Sequence, residues 1–460
     1  MFSEQESAEN RKVFFGFIWG LSIILYEIEE SIGVRSPLSF GISVITLLAA
    51  IFITVRPKND LAWVLLSLLI SAQVLSMLPR INNHSVLFAI LGVGIAASIL
   101  YSKISRRDRS IGWLQEHEPF IRLVFLLGYG AAAIAKLNAG FYNYQISCAN
   151  SIATEVFAWL PFKIPFETFV WLPYLVSAVE LFVFLGLIFF KTRPWALVIA
   201  SLFHFTLSLN FTSAGLAFNP ALLSMLVFFL PTSATNEVAS LYRHVSLRLS
   251  KIAKMGIAVA YGVALILVLI FWKIIPVTRA MLVPTFIVEV TVDALIFTAI
   301  VLLAIRWRKE NLKPKLVSVP SLVGWVVVAL LLLNAALPYL GGKTGGTLSM
   351  YSNLRVEGGV SNHFLIPRLP IKTQQDDLVK IISSSNPTLS NLAKKKILIN
   401  FSTLQYIAME NLNASVSYER NGVTYQVPAI RLSADLAKID PFWVRLSFYR
   451  DVPVDGSCVW

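Results

Sequence analysis

The sequence predicts an all-α polytopic membrane protein with about eleven spans and a small extracytoplasmic C-terminal α+β domain. Two observations about composition carry the prediction: 56% of the 460 residues are hydrophobic and 14% are charged. A third is that several apolar runs exceed the roughly 18 residues that indicate a transmembrane helix. A soluble domain could not bury so much apolar surface.

The apolar segments divide the chain into two domains. They lie near residues 13–33, 37–55, 61–79, 85–102, 119–140, 166–190, 194–211, 215–231, 253–272, 284–305 and 319–340. We therefore assign residues 1–341 to a transmembrane helical domain and residues 342–460 to the C-terminal domain. Residues 141–165 are too polar to span a membrane, and we expect them to lie along the interface or to re-enter it.

Basic residues indicate the orientation of the chain. The formal net charge is +13, but the Lys and Arg residues cluster in short loops on every second connection. This alternation predicts a multi-pass protein with a cytoplasmic N-terminus and an extracytoplasmic C-terminus. The expected location is the cell inner (plasma) membrane. The charge is thus explained by topology, the lipid bilayer is the expected partner, and no motif indicates binding to nucleic acid.

The C-terminal domain changes pattern from long apolar runs to short alternating segments. Asn421 and Gly422 stand between two such segments and predict a β-hairpin. We expect one or two helices in addition, at residues 374–384 and after Pro387. Cys148 and Cys458 both fall on the outer side, where a single disulfide between them is compatible with the compartment.

Lys136 is the first candidate functional residue. It lies near the outer end of the fifth apolar segment, and an ionisable group at membrane depth is a functional candidate by default. The alternative is that its amine extends to the lipid headgroups. His84 follows the third segment and reaches the same side, so a neutral lysine beside a histidine could act as a general base. His84 could instead cap the fourth helix together with Ser85.

Other polar residues within the apolar segments need partners. His204 is expected to make an interhelical hydrogen bond, because no second ligand stands at metal-binding spacing and we predict no metal site. Glu180 requires Lys136, His204 or a backbone donor as its partner. Glu289 and Asp293 share one helix face and could line a polar cavity or pair with an arginine.

Three motifs in order resemble one known family. They are NNHSVLFAIL at 82–91, AAIAKLNAGF at 132–141 and the segment FKTRPWALVIASLFHFTLSLNFTSAGLAF at 190–218. Together they resemble the horizontally transferred transmembrane (HTTM) domain, the broader family that contains the vitamin K-dependent gamma-carboxylases, over residues of about 60–231. The chain departs from the carboxylase pattern where it has Ala133, Ala135, Asn138 and Phe141.

The resemblance implies an enzyme with an outward-facing site. Lys136 would deprotonate a reduced quinone similar to vitamin K hydroquinone, with oxygen and carbon dioxide as cosubstrates. Asn83 and His84 would position the quinone, and His204 matches the family's mid-span histidine. The short tail leaves no room for the large lumenal domain of the animal carboxylases. The short tail therefore implies a bacterial protein and a substrate other than the protein substrates of the animal carboxylases.

A segment of the tail, SMYSNLRVEGGVSNHFLIP, resembles bacterial members of this family. We expect Arg355, Glu357 and His363 to fold over the Lys136 site. There they would contact the substrate or form a lid that closes the site. A charged turn exposed to water would explain the same residues.

Two other functions stay open at this point. One is a non-catalytic membrane partner for the maturation or export of a secreted peptide, for which Lys136 would be dispensable. The other is a proton-coupled transporter that uses Glu180, His204, Glu289 and Asp293 as a proton path.

Overall fold

Apolar helices form most of the structure. The computed structural model describes residues 4–33, 37–78, 81, 83–104, 113–158, 164–210, 218–231, 234–236, 238, 279–310, 321–349, 351–367, 373–437 and 448–458. The helices of the N-terminal part are α1 (Glu4–Gly33), α2 (Pro37–Val55), α3 (Asp60–Met77), α4 (Asn83–Ile104), α5 (Trp113–Ala135), α6 (Ala139–Tyr142), α7 (Cys148–Val156), α8 (Leu172–Ile188), α9 (Arg193–Ser208), α10 (Phe218–Leu226), α11 (Arg279–Glu310) and α12 (Leu322–Ala336).

Several of these helices could cross a membrane. Within the described ranges, five are long and apolar enough by length and composition: Asp60–Met77, Asn83–Ile104, His117–Ala135, Glu167–Ile188 and Phe286–Arg308. Ser39–Val55, Phe218–Phe229 and Leu322–Ala336 are shorter apolar helices. The fold is therefore that of a helical membrane protein. The predicted segment 253–272 lies outside the described residues, and the total of about eleven spans stays a prediction.

The helices pack around one large apolar core. α1 contacts α2 and α10, α3 contacts α4, and α5 contacts α8 and α12, while α9 contacts α8 and α11. Side-chain caps define two of the helix starts: Asn59 accepts a hydrogen bond from the Ala62 amide, and Ser321 accepts one from the Gly324 amide. These contacts bring α4, α5, α8 and α9 around the region that contains Lys136.

A buried charge cluster connects α1 and α5 to the end of α10. Arg11 Nη1 donates to both carboxylate oxygens of Glu118, at 2.8 and 2.9 Å, and Arg122 donates to the same carboxylate. Arg11 and Arg122 also donate to backbone carbonyls of Val227 and Phe228, respectively. Because a buried charge requires a partner, this cluster fixes how the three segments pack.

The C-terminal domain contains a five-stranded antiparallel sheet. Its strands are β1 (Leu378–Ser384), β2 (Ile397–Asn400), β3 (Val416–Arg420), β4 (Val423–Val427) and β5 (Val452–Pro453), in the order β4-β3-β1-β2-β5. Helices α13 (Pro387–Lys394), α14 (Phe401–Ala408) and α15 (Ala434–Ala437) complete it. Leu389, Ile399, Leu404 and Ile430 are fully buried in its own apolar core.

Two predictions for this domain are confirmed, and one is wrong. Asn421 and Gly422 have φ of 51° and 76° and join β3 to β4, which is the positive-φ geometry of a two-residue hairpin. A helix also begins at Pro387, after its cap Asn386. The helix predicted at residues 374–384 is instead a 3-10 turn followed by β1. Val379 and Ile381 are buried on either side of the exposed Lys380, a period of two that places them on the core face of the sheet.

The charge cluster gives a test of the helical packing. Glu118→Gln removes the carboxylate that balances Arg11 and Arg122, and we expect it to destabilise the protein by about 3–5 kcal/mol. Thermal unfolding in detergent measures this change. Glu167→Gln, at an exposed carboxylate on the turn before α8, is the matched control and should unfold at the wild-type temperature. An unchanged midpoint for Glu118→Gln would show that the cluster does not hold α1 to α5.

Candidate functional site

Lys136 forms a buried ion pair with Glu180. Lys136 directly follows the last residue of α5, and Glu180 lies in the middle of α8. The Lys136 Nζ to Glu180 Oε2 distance is 2.9 Å, and the two side chains are only 4% and 9% exposed. Lys136 therefore does not extend to the lipid headgroups. Of the three partners that the sequence allows for Glu180, Lys136 is the one that pairs with it.

This pair lies on the wall of a largely apolar cavity, the inner cavity, of about 380 Å³. α5, α7, α8 and α9 supply most of its lining, including Phe125, Ala153, Val179 and Phe203. His84 and His204 also line it. The inner cavity thus places ionisable groups from four helices around one apolar volume.

His84 is held among aromatic rings in the first turn of α4. Its ring stacks on Phe218 with centroids 5.2 Å apart and meets Tyr26 edge to face at 6.1 Å. The side chain is 2% exposed. Tyr26 in turn donates to Ser85 at 2.9 Å. His84 is therefore part of the cavity wall.

His204 makes the interhelical hydrogen bonds that the sequence predicts. Its Nδ1 lies 3.1 Å from Asn219 Oδ1, and its Nε2 contacts the hydroxyl of Tyr129. Because the amide oxygen only accepts, Nδ1 carries the proton and Nε2 accepts from Tyr129. In the part of the chain that the structure describes, no group of three or more His, Cys, Asp or Glu residues could hold a metal ion.

Glu289 and Asp293 of α11 are also buried. Glu289 is 3% exposed and Asp293 is fully buried. Ser208, at the end of α9, donates one hydrogen bond to Asp293 and lies 3.0 Å from the carbonyl of His204. Asp293 is thus joined through Ser208 to the helix that carries His204.

A segment of the C-terminal part, residues 351–367, packs against the chain that follows Lys136. The Ala139 amide donates to the Asn362 carbonyl at 3.0 Å, and the Phe364 amide donates to the Leu137 carbonyl at 2.9 Å. Asn138 caps α6, donates to the Ser352 carbonyl at 2.6 Å and pairs with His363 in an isolated β-bridge. The segment therefore covers the end of α5.

His363 fixes this segment through its ring. Nδ1 accepts from the amides of Leu365 and Ile366 at 3.1 and 3.0 Å, so Nε2 is the donor to the Ile134 carbonyl at 2.9 Å. Gly140 lies where an added Cβ would be 3.1–3.2 Å from Asn362 and Asn353. The absence of a side chain there permits the close approach.

Asn353 joins the segment to α7 and to the chain end. Its Oδ1 accepts from the Cys148 amide at 2.7 Å, while Nδ2 donates to the carbonyls of Ile146 and Gly456 at 2.8 and 3.3 Å. Beside it, Cys148 and Cys458 form a disulfide. Residues 146–148, in the stretch predicted to lie along the interface or to re-enter the membrane, are thereby tied to the tail by hydrogen bonds and by one covalent bond.

A second and larger cavity, the outer cavity, lies between the helices and the C-terminal domain. Its volume is about 600 Å³. Asn83, His84 and Tyr351 line both cavities, so these three residues form a shared wall. Charged side chains of the outer cavity are Arg355, Glu357, Arg450 and Asp451.

The charged residues of the outer cavity differ in their contacts. Glu357 is fully buried and pairs with Arg450, with Nε to Oε1 at 2.9 Å and Nη2 to Oε2 at 3.3 Å. Arg355 is fixed through its backbone, since its amide donates to Asn362 Oδ1 at 2.8 Å and its carbonyl accepts from the Asn362 amide at 3.0 Å. Its Nε is buried and has no hydrogen-bond partner among the described residues.

Sequence reasoning named most of the ionisable residues of the site but missed four that position them. The sequence does indicate the role of Asn138, because an asparagine directly before Ala-Gly-Phe is a favourable helix cap. Tyr129 was an isolated hydroxyl in an apolar run. Asn353 and Arg450 had no local signal, because their roles arise from contacts with residues far away in the chain.

Comparison with known proteins adds no assignment. No family model, curated protein or solved structure matches the chain. The resemblance to the HTTM family therefore stays a prediction, and the structure defines only the class: a helical membrane protein with an apolar inner cavity and an outer cavity lined in part by charged side chains, which share one wall.

The disulfide gives a test of how the tail is held. We expect the double variant Cys148→Ser, Cys458→Ser to lose about 2–4 kcal/mol of stability, because the bond closes a loop of 310 residues. Thermal unfolding with and without reductant measures this loss. Reductant should lower the midpoint of the wild type and leave that of the double variant unchanged.

Proteolysis supplies a control that does not depend on stability. After one cut between Cys148 and Cys458, the fragments of the wild type should stay joined in denaturant until reductant is added. Fragments that separate without reductant would contradict the bridge.

Proposed function

We propose that this protein is a membrane enzyme that uses a reduced quinone in the inner cavity and acts on a polar substrate in the outer cavity. The observation that carries the proposal is the Lys136–Glu180 ion pair in an apolar cavity. Charges are costly in such a place and mark functional sites. The proposed location is a bacterial plasma membrane, with the site facing outward.

The inner cavity suits an apolar cosubstrate with one polar end. Its volume of about 380 Å³ lies in the range of roughly 300–1,000 Å³ that holds small molecules and cofactors. Leu87, Phe125 and Ile152 suit an aromatic ring system and an isoprenoid chain. Lys136 and Glu180 suit its hydroxyl oxygens.

Lys136 and Glu180 would act as one proton-accepting unit. In the ion-paired state the lysine is already protonated, so the unprotonated member is the Glu180 carboxylate. A hydroxyl proton would move to Glu180, and the Lys136 ammonium would stabilise the oxygen that loses it. This differs from the sequence-based expectation that Lys136 alone is the base.

Residues of the shared wall would orient both reactants. His84 is held by Phe218 and Tyr26, which fixes its polar ring atoms. Asn83 precedes it in the chain and also lines both cavities. A bound hydroquinone would supply, together with oxygen, strongly basic chemistry for removing a substrate C–H proton. Carbon dioxide is the proposed second cosubstrate.

Hydroquinone-dependent oxygen consumption in lipid nanodiscs tests the proposal. We expect the wild type to accelerate the oxidation of a short-chain naphthohydroquinone, and Lys136→Met and Glu180→Gln each to reduce the rate by roughly 10²-fold or more. The second variant discriminates between mechanisms. If Lys136 alone were the base, removing its counter-ion would favour the neutral amine, and Glu180→Gln would keep or increase activity.

A double variant separates catalysis from folding. Each single substitution leaves one buried charge uncompensated, whereas Lys136→Met with Glu180→Gln removes both charges and should recover much of the lost stability. A stable and inactive double variant supports the proposal. Oxidation at the background rate by the wild type, with no hydroquinone bound, would reject it and favour the peptide-maturation function, for which a co-purifying peptide is the expected finding.

Proton-coupled transport is a second candidate, and buried Glu289 and Asp293 on α11 favour it. The Ser208 contact of Asp293 connects that helix to α9. Substrate-driven proton flux in proteoliposomes distinguishes the two functions. Flux that is abolished by Asp293→Asn and unaffected by Lys136→Met would favour transport.

A further inference from the structure

The outer cavity has the composition of a binding site for a polar molecule. Thr388, Thr403 and Ser457 add hydroxyl groups to the four charged side chains that line it. Its volume of about 600 Å³ exceeds that of the inner cavity. The charged side chains of the lining determine which charge a bound molecule would carry.

The total charge of the lining does not indicate the charge of the bound molecule, because two arginines oppose one glutamate and one aspartate. The contacts of these four side chains within the protein do indicate it. Glu357 is neutralised by Arg450 through two contacts, and Asp451 also has a partner within the protein. Arg355 differs from them, since its buried Nε has no hydrogen-bond partner among the described residues.

The position of Arg355 is well fixed. Two hydrogen bonds between its backbone and Asn362 close the turn that contains Gly358 and Gly359. That turn is anchored in the C-terminal domain, where the Gly359 amide donates to Asp376 at 2.9 Å. Because the backbone of Arg355 is fixed, its buried Nε donor can bind an acceptor with little further loss of backbone freedom.

We propose that Arg355 binds an anionic oxygen group of the substrate, a carboxylate or another oxyanion, in the outer cavity. This inference rests on the proposed function, since it names the chemical class of the molecule that would react there. The guanidinium presents a planar set of donors that matches an oxyanion. The shared wall then separates this group from the hydroquinone in the inner cavity.

Chemical labelling of Arg355 tests the inference directly. Phenylglyoxal modifies accessible guanidinium groups, and peptide mass spectrometry reports the labelling rate at each arginine. In wild-type protein in nanodiscs of zwitterionic lipid, succinate or sulfate should slow labelling of Arg355 several-fold relative to chloride at equal ionic strength. Labelling of the exposed Arg431 in the same sample should not change. Equal protection of both arginines, or of neither, would overturn the inference.

Substitutions provide a second readout. Succinate should raise the unfolding temperature of the wild type and of Arg431→Ala, which loses the same charge on an exposed surface. Arg355→Ala should lose the increase, and Arg355→Lys should retain part of it. An increase that persists in Arg355→Ala would refute the role of Arg355. The labelling experiment on wild type decides the matter if Arg355→Ala does not fold.

A third arm identifies the source of the anion. Phosphatidylglycerol in the nanodisc could present a phosphate to Arg355. If it protects Arg355 while succinate and sulfate do not, the substrate assignment is overturned in favour of a lipid headgroup. These assays contain no hydroquinone, so their failure is distinguishable from failure of the proposed function, which the oxygen-consumption assay reports.

Discussion

The burial of charge among apolar helices is the constraint on which this structure depends. A charged or hydrogen-bonding group removed from water must find a partner inside the protein. Near the start of α5, Glu118 pairs with Arg11 and Arg122. At the other end of α5, Lys136 pairs with Glu180 of α8. The same helix carries Tyr129, which contacts His204. α5 is thus bound to its neighbours by polar contacts along its length, while the surrounding apolar surface fixes the packing.

The end of α5 is also where the C-terminal domain is attached. Asn138 caps α6 and bonds to the Ser352 carbonyl, and His363 donates to the Ile134 carbonyl. The Asn138 side chain, which caps the helix after Lys136, therefore also binds the segment that covers the end of α5. The ion pair and the tail are thus positioned by neighbouring residues at the end of α5.

Sequence patterns predicted the parts of this structure that depend on local composition. The apolar run at 37–55 coincides with α2, and Asn421-Gly422 forms the expected hairpin. The pairing of Glu180 stayed open between three partners, because only the packing of α5 against α8 selects Lys136. The stretch at 374–384 was misassigned because its few apolar residues form a pattern too short to distinguish a helix from a strand. Its pairing with β2 and β3 decides the conformation.

The segment that carries Tyr351 of the shared wall is held firmly by its neighbours. Tyr351 and Asn353 have φ of 46° and 51°, a left-handed conformation that an asparagine tolerates and a tyrosine adopts rarely. Such strain, roughly 1–3 kcal/mol, persists only where neighbouring contacts fix the backbone. The three hydrogen bonds of Asn353 and the adjacent disulfide supply those contacts. They hold Tyr351 in the wall shared by the inner and outer cavities, where the two proposed reactants would meet.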